Sequence, residues 1–255
     1  MSQIKWCFFS VIVLVSLSLQ LQAAAQSLPP QGQTQISDTT NQKTADKIFQ
    51  EAYDNRYTWN SQFPGYTAAV HFKDGKEDYS GKIQVNPDMT VEVTGIDKED
   101  IRQTVENQLK ALIIHRRRVP FEVAHKNSTF EIGNTNKKTG AVEIVERTGN
   151  TESHYEVLKQ KLLQVNRLLG KTAVTVDTLK FKNTPEGYIA TRYRSTFKEP
   201  QTQQVVGVEE AEDSYTKVGN YYLLSRQVIK DYQQGKLSEQ AELNYSNIQL
   251  LSGTH

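Results

Sequence analysis

The chain has 255 residues, with 30 basic and 29 acidic side chains and 37% hydrophobic residues. So even a charge balance gives no long-range pull toward nucleic acid or an anionic membrane. A chain of this length can bury roughly 70% of its unfolded surface, and its single cysteine, Cys7, excludes a disulfide framework or a thiolate metal site.

The N-terminus reads as a leader. Lys5 supplies a short positive start, Trp6 to Leu21 is apolar apart from Ser and Gln, and Ala23-Ala24-Ala25 offers a small-residue cleavage site. A signal peptide at 1–25 is expected, since the run is shorter than the ~20 apolar residues of a spanning helix. Cleavage removes Lys5 and Cys7, leaving 29 basic against 29 acidic residues and no cysteine nucleophile. Residues 26–43, rich in Gln, Pro, Ser and Thr, read as a flexible linker. A single domain is expected over 44–251.

Thr44 is a plausible N-cap, and Ala45, Ile48, Phe49, Ala52, Tyr53 and Tyr57 recur at the spacing of one helix face. The period then changes to two at Tyr66, Ala68, Val70 and Phe72, which predicts a strand. Asp74-Gly75 is a hairpin turn, with Tyr79 to Val85 as the return strand and Val91 and Val93 as the next. A second helix is expected from an Asp97 cap, with an apolar stripe of Ile101, Val105, Leu109, Leu112 and Ile113. It ends at His115-Arg116-Arg117-Arg118, before Pro120. Further strands are expected at Phe121–His125, Thr129–Ile132, Ala141–Glu146, His154–Lys159, Leu162–Leu169, Thr172–Phe181, Tyr188–Phe197, Val205–Tyr215, Tyr221–Tyr232 and Leu237–Leu250. Most are separated by Gly, Pro or Asn turns. The expected fold is therefore α+β, with about 10–13 strands in one antiparallel sheet and two helices in the N-terminal half packed on it. An open sheet of that width must curl, so a half-barrel is expected, with a candidate cavity inside.

Candidate chemistry is sparse. His71, His115, His125, His154 and His255 show no metal-ligand spacing and read as surface or capping histidines. Arg116, Arg117 and Arg118 are either an anion site or a solvated helix end favoured by the dipole. Glu209, Glu210, Glu212 and Asp213 form an acidic cluster in which Glu210 and Glu212 share a face. They are either a carboxylate pair or, more commonly, edge charges that block aggregation. No nucleophile elbow, phosphate loop or dinucleotide fingerprint is present, so no catalytic residue, metal or cofactor is expected and the protein is read as non-enzymatic. The basic and aromatic residues do not interleave as nucleic-acid binding requires. Aromatics remain: Trp59, Phe63, Tyr66 and Tyr193 are the expected contacts for an apolar ligand, weighed against plain core filling.

Arg56-Tyr57-Thr58-Trp59, Phe63-Pro64-Gly65-Tyr66, Val91-Glu92-Val93-Thr94-Gly95, Gln164-Val165-Asn166-Arg167 and Gly219-Asn220-Tyr221-Tyr222-Leu223 carry a more specific signal. With Ser225-Arg226-Gln227-Val228 and Tyr245-Ser246-Asn247-Ile248, they resemble the cyanobacterial and chloroplast domain-of-unknown-function family 3386 over about Thr44 to Leu251. That resemblance implies a cyanobacterial source and no particular activity. The architecture is also similar to the periplasmic lipoprotein carriers of the Lol pathway, in which a helix leads into a curved sheet that holds an acyl chain. These readings lead to an exported protein of the periplasm or thylakoid lumen that binds a lipid, pigment or other hydrophobic small molecule. The alternative is an assembly factor that binds a protein partner through the sheet. No transmembrane segment is expected after cleavage.

Overall fold

The computed structural model describes residues 36–252, with side chains from residue 44 onward. The expected signal peptide, linker residues 26–35, Cys7 and His255 lie outside the described residues. Helix α1 (Ile36–Asp54) turns Ala45, Phe49, Ala52 and Tyr53 inward, as their spacing predicts. It starts ahead of Thr44, taking in residues 36–43 that composition assigns to the linker; no Gly or Pro lies between Gly32 and Pro64 to stop it.

Three strands follow, β1 (Tyr66–Asp74), β2 (Glu77–Val85) and β3 (Val91–Thr94), and then helix α2 (Glu99–Arg116). The whole expected stripe of α2 is buried, but Lys98, and not Asp97, occupies its N-cap, with no side-chain capping bond. The segment Phe121–His125 is not a strand. Phe121–Ala124 forms a single helical turn, α3, with Pro120 at its N-cap, where a missing N–H costs nothing, and His125 at its C-cap. Nine strands complete the chain. These are β4 (Ser128–Thr135), β5 (Val142–Thr148), β6 (Thr151–Leu158), β7 (Lys161–Leu169), β8 (Thr172–Thr184), β9 (Gly187–Lys198), β10 (Val205–Val218), β11 (Tyr221–Gln233) and β12 (Lys236–Leu250).

The twelve strands form one antiparallel sheet in the order β3-β2-β1-β12-β11-β10-β9-β8-β7-β6-β5-β4. Every neighbour is a hairpin partner except β12, which returns to lie beside β1. β3 and β4 remain as free edges, so the sheet is open. Register shifts at Ser214/Tyr215, between Thr178 and Phe181, and at Thr67/Ala69 bend it. The result is the α+β half-barrel expected from strand count and alternation.

The two long helices cover different parts of the inner face. Phe49 and Ala52 of α1 pack with Phe130, Ile144, Tyr155 and Leu162 of β4 to β7. Ile101, Val105 and Leu109 of α2 join Val70, Phe72, Ile83 and Leu243 from the β12-β1-β2 side. These are separate cores, and the middle of the sheet between them is less completely covered.

Candidate functional site: a cavity between the helices

A partly open cavity of about 150 Å³ occupies that middle. Its floor is the inner face of β7 to β11, contributed by Leu162, Val165, Val176 and Ala190, with Tyr193 and Ser195 beyond them. Leu112, His115 and Arg116 close one side from the last turn of α2. Arg56, just after α1, closes the other. Gly187 makes that second wall possible. At φ +133° it lets the backbone of Asn55 approach so closely that a Cβ would lie 2.4 Å from the Asn55 carbonyl. Tyr57 N–H then donates to the Tyr188 carbonyl at 2.9 Å, and Tyr188 N–H to that of Asn55 at 2.9 Å, which ties the segment to β9.

The wall is mostly apolar, with one buried polar chain set into it. Arg116 donates through Nη2 to the Tyr215 hydroxyl at 2.7 Å, and that hydroxyl donates to Asp213 Oδ2 at 3.0 Å. Gln227 Nε2 donates to Asp213 Oδ1 at 2.9 Å. Both carboxylate oxygens are therefore occupied. Two other polar atoms are not: Arg116 Nε and Gln227 Oε1 are buried and have no partner. Burial pushes the Asp213 carboxyl up to about 6, although Gln227, Tyr215 and Arg116 all act to hold it down. Burial raises the Tyr193 hydroxyl too, and the charges of Asp213 and Glu209 add to the effect. Further along the same face of β10, burial drives Glu209 up to about 8, with Asp231 reinforcing it.

Of the ligand contacts expected from sequence, only Tyr193 borders the cavity. Trp59, Phe63 and Tyr66 are core. Trp59 stacks on Phe63 with ring centroids 4.0 Å apart, and Tyr66 meets Trp59 edge-on at 6.1 Å. All three are at most 3% exposed. The physical reason is position: the segment that carries Trp59 crosses the end of α2, where Trp59 N–H donates to the Arg116 carbonyl at 2.7 Å. The aromatic cluster therefore belongs to the core that α2 shares with the β12-β1-β2 side. Of the three expected anion-binding arginines, Arg116 alone turns into the cavity, while Arg117 and Arg118 are exposed.

The acidic cluster also divides differently from either expectation. β10 is an interior strand, so none of these residues is an edge charge. Glu210 lies on the outer face, paired with Arg192 at 3.3 Å and with Arg194 at 2.9 Å. Glu209 and Asp213 point to the inner face and are buried. Their shared parity with Ala211 and Tyr215 was the available sign. His125 is likewise buried, with Nδ1 2.7 Å from Glu146. Among the described residues, no group of three or more His, Cys, Asp or Glu side chains is placed to hold a metal ion, and no helix is long and apolar enough to cross a membrane. A second depression, of about 430 Å³, lies across β12, β1, β2 and β3; it is more polar and is lined largely by residues whose side chains point away from the core.

Fold and site together define an open antiparallel half-barrel with a helix-walled cavity. The chain belongs to the DUF3386 family of proteins of unknown function, whose pattern matches residues 40–251. No curated protein matches it in sequence. Similar solved structures include a LolA superfamily protein from Nitrosomonas europaea. It is 9% identical, covers 82% of this chain and 94% of its own, and has a TM-score of 0.23. A DUF1329 family protein from Desulfovibrio piger is 7% identical, with coverages of 84% and 95% and a TM-score of 0.25. The MucA/MucB complex of Pseudomonas aeruginosa matches at 6% identity, with coverages of 82% and 100% and a TM-score of 0.24. At such identities and scores, none of them assigns a function to this chain.

Proposed function

We propose that the protein is a non-enzymatic binder of a small apolar or amphiphilic ligand, held between α2, the Arg56 segment and the inner face of β7 to β11. The observation that carries this reading is the gap itself. In a half-barrel otherwise filled by packed apolar clusters, a mostly apolar-walled space is left open to solvent. Protein interiors rarely keep voids larger than a water molecule, and a dry cavity of about 150 Å³ is known to admit a ring the size of benzene.

The size also narrows the guest. Sites for drug-sized ligands measure roughly 300–1,000 Å³, so a pigment or a two-tailed lipid enters only if the helices part. A single ring or a short acyl tail fits the space as it stands. The leader features of residues 1–25 support export, with the periplasm or thylakoid lumen as destination and 44–251 as the working domain.

Native mass spectrometry and small-molecule extraction of the purified protein test the proposal. A co-purifying apolar compound is expected with the native chain and absent from Ala190→Phe, which fills the cavity from β9. Equal occupancy of both proteins would move the site elsewhere, and no uptake of any apolar probe would refute the binder reading.

A further inference from the structure

We propose that the cavity selects a monocarboxylic acid, with the carboxyl group docked on Arg116 and a small apolar body lying over β7 to β9. The inference rests on the binder reading above and deepens it by naming the ligand's head group.

Arg116 is 7% exposed and Gln227 is 2% exposed, and both border the cavity. Each keeps one polar atom without a partner, a donor at Arg116 Nε and an acceptor at Gln227 Oε1. Unpaired buried polar atoms are uncommon in native structures, and each asks for a water or a ligand. A carboxylate supplies the acceptor that Arg116 lacks. One oxygen accepts from the guanidinium, and a water donating to both bridges the other oxygen to the Gln227 amide oxygen. The site's own carboxylate cannot do this, because Asp213 is already committed to Tyr215 and Gln227 through both oxygens.

Charge points the same way. Arg116 and Arg56 are the two arginines at the cavity, and Asp213 is its one carboxylate. Arg56 is engaged with its own segment, donating to the Tyr53 carbonyl at 2.8 Å with its guanidinium 3.8 Å from the Tyr53 ring. Arg116 also donates to the Tyr215 hydroxyl and lies over the Tyr57 and Tyr215 rings, but its Nε–H keeps no partner within the protein and is the donor offered to a guest. A larger or doubly charged head group would meet Leu112, Leu162, Val165 and Val176, which offer it no donor.

Benzoate, benzyl alcohol and benzylamine make a probe set of nearly equal size. Calorimetric titration of the purified protein is expected to show benzoate binding at least tenfold more tightly than the alcohol, with the amine weakest. Arg116→Met should abolish the preference for acid over alcohol, bringing the two affinities within about twofold of each other. Should Arg116→Met fail to fold, Arg116→Lys keeps the cation and should retain the preference for benzoate over benzyl alcohol, and loss of that preference there would count against the inference. Equal affinity for acid and alcohol would overturn the acid inference and leave the binder reading standing. Tighter binding of benzylamine would overturn it in favour of Asp213 as the anchor. If none of the three probes binds, the binder reading fails as well.

Discussion

Two buried carboxylates on the same sheet have opposite electrostatics. Under α1, Glu146 accepts hydrogen bonds from the Ser128 hydroxyl at 2.7 Å and the Tyr155 hydroxyl at 2.6 Å, and His125 Nδ1 lies 2.7 Å away. Burial pushes its carboxyl up, but the His125 contact and then the two hydroxyls outweigh that and hold it near 2. Beside α2, Asp213 has fewer helpers, and burial wins, taking it to about 6. The first network leaves His125 Nε2 without a partner but is surrounded by rings, with Phe49 4.4 Å from Tyr155 and 5.0 Å from Phe130. The second leaves one donor and one acceptor over and borders free space. The difference is the space: a network closed in by a filled core reads as structure, and one beside a cavity reads as a site.

The comparison breaks most directly at Glu146. Replacing it with Ala strands His125, Ser128 and Tyr155 without their acceptor, and should cost about 3–5 kcal/mol in urea unfolding near neutral pH. A loss below about 1 kcal/mol would mean that the network holds nothing together. Its low folded pKa also sets the sign of the acid response: the Glu146 contribution is present above the unfolded value near 4.5 and fades as pH falls toward 2.

Glu209 provides the opposite case. Its folded pKa of about 8 lies above the unfolded 4.5, so the folded state holds the proton more tightly. Stability from this group is complete below about pH 4.5 and is lost as pH rises through 8. Glu209→Gln should therefore gain on the order of 5 kcal/mol at about pH 9 and almost nothing at about pH 4. A parallel pair of stability-against-pH curves for wild type and variant would show that Glu209 is not held protonated.

A smaller and sharper contrast uses one chemical change on one strand. Val174 is 1% exposed and packs against Phe197, whereas Val176 borders the cavity. Val174→Ala should cost roughly 2 kcal/mol, and Val176→Ala under about 1 kcal/mol, because Val176 is only partly buried against that cluster and borders the cavity on its other side. Equal losses in chemical denaturation would show that the gap is filled in solution.

Much of this architecture was legible residue by residue. Ile101, Val105, Leu109, Leu112 and Ile113 mark the buried stripe of α2, and the alternation along Tyr66, Ala68, Val70 and Phe72 marks the inner face of β1. The site was legible only in part. Tyr193 was an expected contact and does border the cavity, as does Arg116, which read either as an anion site or as a solvated helix end, but Trp59, Phe63 and Tyr66 looked equally suited and are core. Asp213 and Glu209 stood out only as members of an acidic cluster, and Gln227 only within a stretch that carries the family resemblance, with no sign that any of them faces a cavity. They are polar residues at inward parity, which single-strand reading treats as exposed, and His125 was hidden by reading α3 as a strand.

The sequence by itself determined the elements: two amphipathic helices, the run of alternating strands and the turns between them, hence one wide sheet that has to bend. Periodicity does this because it is written within each segment and needs no distant partner. Only the tertiary structure decided that β12 pairs with β1, that the two helices seat at opposite parts of the sheet, and that a space bordered by Arg116 and Gln227 stays open between them. Such a gap is the remainder after side chains from remote parts of the chain have packed, and no local pattern encodes that remainder.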